Sequence, residues 1–365
     1  MIERVISGGE SMKKYGIISV FIFLLSMNIS AKELPFIFRG ARPLGMGGAF
    51  VAVSDDENAL FYNPAGLADI KTSRFSPLNF QAEVGRNAYS FNRDALDVDL
   101  DNPQEVGNFL NKHIGDYGHV SASYFPNYIR PNFAFGLLGT ANSNIQVHDR
   151  QYPKLVMDAI GDAAACAGLA KSFFDSDLLV GSNLKYLYRE SLEHEYTVAD
   201  ITTKDFKKRV RDDVQNGGGV LLDLGIMYKI NPSQEAGNQG PIQLGLSVNN
   251  LIGNKLGDAE DIDSHVDLGV SKRLGEFTLA ADYVDIFHEL GQDKDAGKRI
   301  HIGVEYAPTK ILKLRAGFNQ GYLTYGVGID TGHLKFDLLT YAEEVGVYSG
   351  QKDDRRYVFR FGFGF

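Results

Sequence analysis

The last nine residues, Tyr357-Val-Phe-Arg-Phe-Gly-Phe-Gly-Phe365, carry an aromatic side chain at every odd position. A period of two belongs to a β-strand, whose successive side chains point to opposite faces. Tyr357, Phe359, Phe361, Phe363 and Phe365 therefore share one face, opposite Val358, Arg360, Gly362 and Gly364. The same alternation runs through 300–306, 311–318 and 334–342, where apolar residues oppose charged or small ones. Alternation alone fits a water-soluble sandwich as well as a membrane barrel. Three features together select the barrel. Each strand runs to about 10 residues, the length that a tilted membrane strand needs. Phe and Tyr gather near strand ends, where interfacial girdles lie. The last strand is apolar and ends on Phe365.

Fourteen such strands are expected, centred on Phe80, Ala122, Leu137, Cys166, Leu184, Leu224, Leu246, Leu268, Leu279, Val304, Leu314, Val327, Leu338 and Phe361. An even total is what a bacterial barrel requires. Connections after even strands are mostly tight, as at Arg130-Pro131 and Leu274-Gly275-Glu276. Those after odd strands are mostly longer, and two of them, around 102–114 and 203–214, have helical character. The predicted fold is thus all-β: a 14-stranded antiparallel transmembrane β-barrel with short helices in its outer loops.

Composition narrows the function. There are 46 acidic against 37 basic side chains, a net charge of −9, which argues against nucleic-acid binding. The single cysteine, Cys166, excludes an internal disulfide framework, and the scattered histidines show no metal-ligand spacing. No nucleophile-elbow pattern surrounds any serine. The chain is read as non-enzymatic, with no cofactor and no metal. Lys13-Lys14 followed by the apolar stretch 15–27 and Ala31 reads as a secretory signal over residues 1–31, with Met12 as the natural start. Residues 32–72 then form a compact N-terminal segment and 73–365 the barrel.

That segment contains the most distinctive stretch, Gly40-Ala-Arg-Pro-Leu-Gly-Met-Gly-Gly-Ala-Phe-Val-Ala-Val-Ser-Asp-Asp-Glu-Asn-Ala-Leu-Phe-Tyr-Asn-Pro-Ala-Gly. Gly45, Gly47 and Gly48 allow close backbone approach. Asp55 or Asp56 can cap a helical turn reaching about Tyr62, and Asn63-Pro64 ends it, with Gly66 as a flexible exit. Arg42, Asn58 and Asn63 are the candidate polar anchors to a charged lumen. A phosphate loop does not fit, because no Lys-Ser/Thr follows the glycines and Asp55-Asp56-Glu57 repels phosphate.

With Asn63-Pro64-Ala65 at its end, this stretch resembles the start of FadL-type outer-membrane transport proteins for long-chain fatty acids and other hydrophobic compounds. Its Gly-Met-Gly-Gly-Ala-Phe-Val-Ala form is similar to the PorV/PorQ-like group. The resemblance implies an N-terminal hatch inside a 14-stranded barrel, an apolar ligand pocket, and an inward kink in the third strand. Gly139, at an apparent phase break in Leu138-Gly139-Thr140-Ala141, is the expected kink. Leu44, Met46, Phe50, Leu60 and Phe61 are the expected ligand-lining residues, with Arg42, Gly45, Gly47, Gly48, Asn58, Asn63, Pro64, Ala65 and Gly66 holding the hatch. Expected partners are outer-membrane lipid, a hydrophobic small-molecule ligand and, through the C-terminal strand, the barrel-assembly machinery. The leading expectation is passive uptake of hydrophobic small molecules; the alternative is PorV-like protein secretion or surface attachment. A continuous apolar lumen pocket favours the first, and a polar, filled lumen with large ordered outer loops the second.

Overall fold

The computed structural model describes residues 33–231, 239–253, 255–291 and 294–365; the expected signal over 1–31 lies outside them. Fourteen antiparallel strands close into a barrel. β1 comprises Arg74–Ser76 and Leu78–Gly85, and β2 comprises Tyr117–Tyr124 and Asn127–Arg130. There follow β3 (Phe133–His148), β4 (Lys154–Phe173), β5 (Leu178–Thr197), β6 (Gln215–Ile230) and β7 (Gln239–Asn249). The second half holds β8 (His265–Leu274), β9 (Phe277–Tyr283), β10 (Ile300–Tyr306) and β11 (Leu312–Asn319). β12 (Tyr322–Asp330), β13 (Leu334–Glu344) and β14 (Asp353–Phe363) complete it. Each strand pairs with its neighbours in sequence, and β14 pairs with β1 through Phe361 opposite Phe80. Closure removes the free edges that an open sheet would expose. All the residues on which the alternation is centred fall in the matching strands.

The wall is apolar outside and polar inside. Leu338 and Leu184 are 59% and 52% exposed on the outer face, whereas Lys185 and Asp223 are 3% and 1% exposed on the inner one. Lipid stabilises such an inverted surface; water does not. Tyr357, Phe359, Phe363 and Phe365 all point outward. No helix among the described residues is long and apolar enough to cross a membrane.

The wall is also uneven. β4 and β5 have 20 residues each, and β9 and β10 have 7. At a rise of ~3.3 Å per residue this is roughly 66 Å against 23 Å of chain. The excess length of β3–β5 carries the outer-loop helices. Phe91 and Leu110, on the helices Ala88–Ala95 and Pro103–Lys112, pack with Val147 of β3 and Tyr196 of β5. Asn102 caps the second helix by accepting from the Gln104 amide at 3.1 Å, and Pro103 suits the first helical position.

The kink expected at Gly139 is absent. β3 keeps one register with β4 from Phe133 to His148, and with β2 across Gly139. Leu138 faces inward, so the alternation never loses phase. The apparent break arose because an apolar residue occupies a lumen position, where it packs on the N-terminal segment. The irregularity lies one strand earlier. Ser76 pairs with Asn127 but Phe80 with Tyr124, so β1 spends four residues where β2 spends three. This bulge falls at Pro77 and at Phe125-Pro126, as expected where proline withholds a ladder donor.

Candidate functional site

Residues 33–73 run inside the barrel, and their fit to the wall is the candidate site. A short helix, Ala41–Gly45, is followed by Gly47 and Gly48 at φ +66° and +85°. A side chain on Gly47 would also lie 2.5 Å from the Ile302 carbonyl oxygen, so glycine is required twice over. Asp56 caps the turn Glu57–Leu60 by accepting from the Asn58 amide at 2.9 Å. Asn63 opens a further turn, Pro64–Asp69, instead of merely ending the previous one; its Oδ1 accepts from the Ala65 amide at 3.1 Å.

Toward β10–β14 the contact is a circuit of alternating charge. Arg42 donates to both oxygens of Glu305, at 3.0 and 2.8 Å, and to Asp55 and Asp56 at 2.5 and 2.9 Å. Glu305 accepts from Arg315 at 2.7 Å, and Arg315 donates to Asp337 at 2.5 Å. Asp337 accepts from Arg360 at 3.3 Å, and Arg360 returns to the segment by an ion pair with Glu57. Lys335 donates to Glu57 at 3.2 Å. Burial alone would raise the Glu57 carboxyl, but Lys335 and Arg360 outweigh it and hold it well below the usual carboxylate range. Two further anchors bind backbone. Asp282 Oδ2 accepts from the amides of Phe50 and Val51 at 2.5 and 2.7 Å. The Asn63 amide nitrogen donates to the carbonyls of Val51, Ile226 and Leu246 at 3.0, 3.3 and 3.3 Å. Asn58, by contrast, braces the segment internally through Asp56.

Between these anchors the segment rests on glycine. Gly181 pairs with Gly225, Gly245 with Gly269, and Gly303 with Gly317. Added side chains there would strike the backbone of Pro64-Ala65, Val51-Ala52 and Met46-Gly47 respectively. Three glycine pairs thus seat three stretches of the segment, backbone against backbone. Sequence reading missed them. The available signal was glycine at inward positions of β5–β8, β10 and β11. Gly66 packs on the Ser54 carbonyl with no room for a Cβ, and Gly45 packs on the Arg315 side chain, which a Cβ would press at 3.1 Å.

Toward β2–β6 the contact is apolar. Leu60, Leu67 and Ile70 pack with Phe125, Leu138, Cys166, Leu187 and Leu221. Leu44 packs on Leu339 and Tyr341, and Met46 and Phe50 on Ala280. Four of the five expected ligand-lining residues, Leu44, Met46, Phe50 and Leu60, are therefore buried in solid packing. Phe61 borders a cavity of about 50 Å³, together with Phe36, Phe38 and Tyr62. Phe38, Phe61 and Phe125 form a triad with ring centroids 5.1–5.6 Å apart. A second, more polar cavity of about 100 Å³ lies between Leu34–Arg39 and the inner face of β1–β4.

The sequence matches no family model and no curated relative. The folded chain does match solved structures. The toluene transporter TbuX of Ralstonia pickettii superposes with a TM-score of 0.52 at 12% identity, over 90% of this chain and 98% of that one. The chain shares the fold of the toluene transporters. The P. putida toluene transporter TodX superposes with a TM-score of 0.51 at 12% identity, over 90% of this chain and 98% of its own. The mutant structure "TodX monoaromatic hydrocarbon channel deltaS2" gives 0.52 at 11%, over 89% and 97%. The barrel that the N-terminal motif implies is the barrel observed.

Proposed function

We propose that this protein is an outer-membrane channel for passive uptake of hydrophobic small molecules, long-chain fatty acids among them, with residues 32–72 as its hatch. The observation that carries the reading is the aromatic lining of the smaller cavity, Phe36, Phe38 and Phe61, inside a fold shared with toluene transporters. At about 50 Å³ the cavity is closed to such a ligand at rest, since an engineered cavity of ~150 Å³ is what holds benzene. Residues 42–65 sit on the glycine pairs and the charge circuit, so the part free to give way is 33–39. That strip is held by side-chain ties: Glu33 to Arg356, Arg39 to Glu343, and Gln81 to the Arg39 carbonyl at 2.9 Å. The C-terminal strand, with its outward aromatics, is the segment that barrel-assembly machinery would engage.

The test is influx of a fluorescent fatty acid, and of toluene, into vesicles bearing the purified full chain. Influx above empty vesicles is expected, faster in Arg39→Ala because the strip loosens; no influx in either protein refutes the reading. A second reading, protein secretion or surface attachment, is favoured by a lumen that is largely polar and filled, beneath ordered loop helices. A stoichiometric protein partner recovered by gentle detergent extraction, with no bound apolar molecule, would select it.

A further inference from the structure

The more polar of the two cavities along 33–39, about 100 Å³, has two unlike walls. Phe36, Ile37 and Phe38 of the N-terminal strip make one. The other is the inner face of β1–β3, where register sets Gln81 opposite Ser123 and Ser123 opposite Thr140. That row is polar and uncharged.

Three buried atoms on this wall have no hydrogen-bond partner among the described residues: Gln81 Oε1, His119 Nε2 and Thr140 Oγ1. Gln81 and His119 are each only 4% exposed. The Gln81 amide nitrogen already donates to the Arg39 carbonyl and to Glu83, both at 2.9 Å, so only its acceptor remains. His119 Nδ1 lies 2.6 Å from Asn144 Oδ1, an acceptor, which assigns the ring proton to Nδ1 and leaves Nε2 as the acceptor of a neutral imidazole. Two acceptors and a hydroxyl thus face the same space, and each left bare costs about 1–3 kcal/mol. Arg39 and Arg356, the cationic donors of the lining, are spent on Glu343, Asp354 and Glu33, so these atoms still lack a donor. A cation is poorly served, because Glu83 is engaged by Gln81 and Tyr341, and Glu33 by Tyr117 and Arg356.

We propose that this cavity binds a small neutral molecule with an apolar body and a hydroxyl donor: a short alcohol at its resting volume of about 100 Å³, and a phenol once the strip 33–39 gives way. The inference rests on the uptake reading and names the compounds that the channel favours. The apolar body lies along Phe36–Phe38, and the hydroxyl donates to Gln81 Oε1 while accepting from Thr140, which stands in the same row. A hydrocarbon of the same size satisfies none of these atoms.

Phenol and toluene make the test, because they are equal in size and differ by O–H in place of CH₃. Binding to the purified full chain is measured by titration calorimetry, corrected for partition into detergent. Phenol is expected to bind at least about tenfold tighter, since a site built for a hydroxyl rejects the isostere that lacks it. Thr140→Val keeps the shape, touches none of the ties to the N-terminal strip, and should erode that preference; Gln81→Leu should do so as well. Toluene bound as tightly as phenol, or a preference unmoved by both variants, overturns the inference while toluene influx keeps the uptake reading standing. Binding of neither compound with toluene influx intact also overturns the inference alone. Absence of both binding and influx overturns the two together.

Discussion

The N-terminal segment meets the two sides of the barrel by different chemistry. Toward β10–β14 it is held by ions, and toward β2–β6 by packed hydrocarbon. The ionic side is directional: Arg42 and Glu57 enter a circuit in which Glu305, Arg315, Asp337, Arg360 and Glu57 each have two neighbours of opposite sign. The apolar side fixes volume but not register, because dispersion is nearly blind to a small slide. One side therefore sets where the segment sits, and the other sets how tightly. The glycine pairs serve both by letting backbone meet backbone.

Breaking the seat should have the largest effect. In Gly303→Val the added side chain collides with the Met46 carbonyl, which cannot retreat, and overpacking of this kind costs up to about 3 kcal/mol or more. Proteolysis of residues 33–72 in the folded barrel is expected to become fast. The circuit comes next. Arg315→Met strips one neighbour each from Glu305 and Asp337, and such a break in a buried pair costs about 3–5 kcal/mol in denaturant unfolding. On the apolar side Leu67→Ala should cost about 2–5 kcal/mol without altering the position of Arg42. Equal loss of position in both variants, read by crosslinking, would erase the contrast between the sides.

A smaller effect is expected from acid at the strip 33–39. Burial would raise the Glu33 carboxyl, but Arg356 overcomes it and the carboxyl comes from 4.5 down to about 2. A carboxyl lowered by folding stabilises fully above its unfolded value, so the tie should hold above pH 4.5 and weaken as pH falls toward 2. Cleavage within 33–39 against pH would show it; release starting near neutrality would contradict it. Smallest of all, Gly139→Val should change stability by no more than about 0.5 kcal/mol, because nothing lies within 4 Å of a side chain built there.

The wall was legible because alternation is a local property. Phe359 and Arg360 declare opposite faces without knowledge of any partner strand. The anchors were legible for a related reason: Arg42 and Asn63 are polar groups amid apolar sequence, and must find partners. The glycine seats were hidden, because facing pairs such as Gly303 and Gly317 exist only once register is known. Gly139 misled in the opposite sense. Leu138 reads as a lapse in phase until the lumen behind it turns out to be apolar. Leu44, Met46, Phe50 and Leu60 were assigned to ligand on hydrophobicity alone, which does not distinguish packing from an open pocket.

The circuit also bears on how the molecule is assembled. Its contacts join residues 263 and 303 positions apart, Arg42 to Glu305 and Glu57 to Arg360. Contacts this remote in sequence come late and slowly. The stretch made first is enclosed by the stretch made last, and the seam between β1 and β14 shuts over it. A segment seated backbone to backbone cannot be threaded into a finished cylinder. It must be gathered in while the sheet is still open, so the N-terminal segment acts as the mandrel around which the barrel is wound.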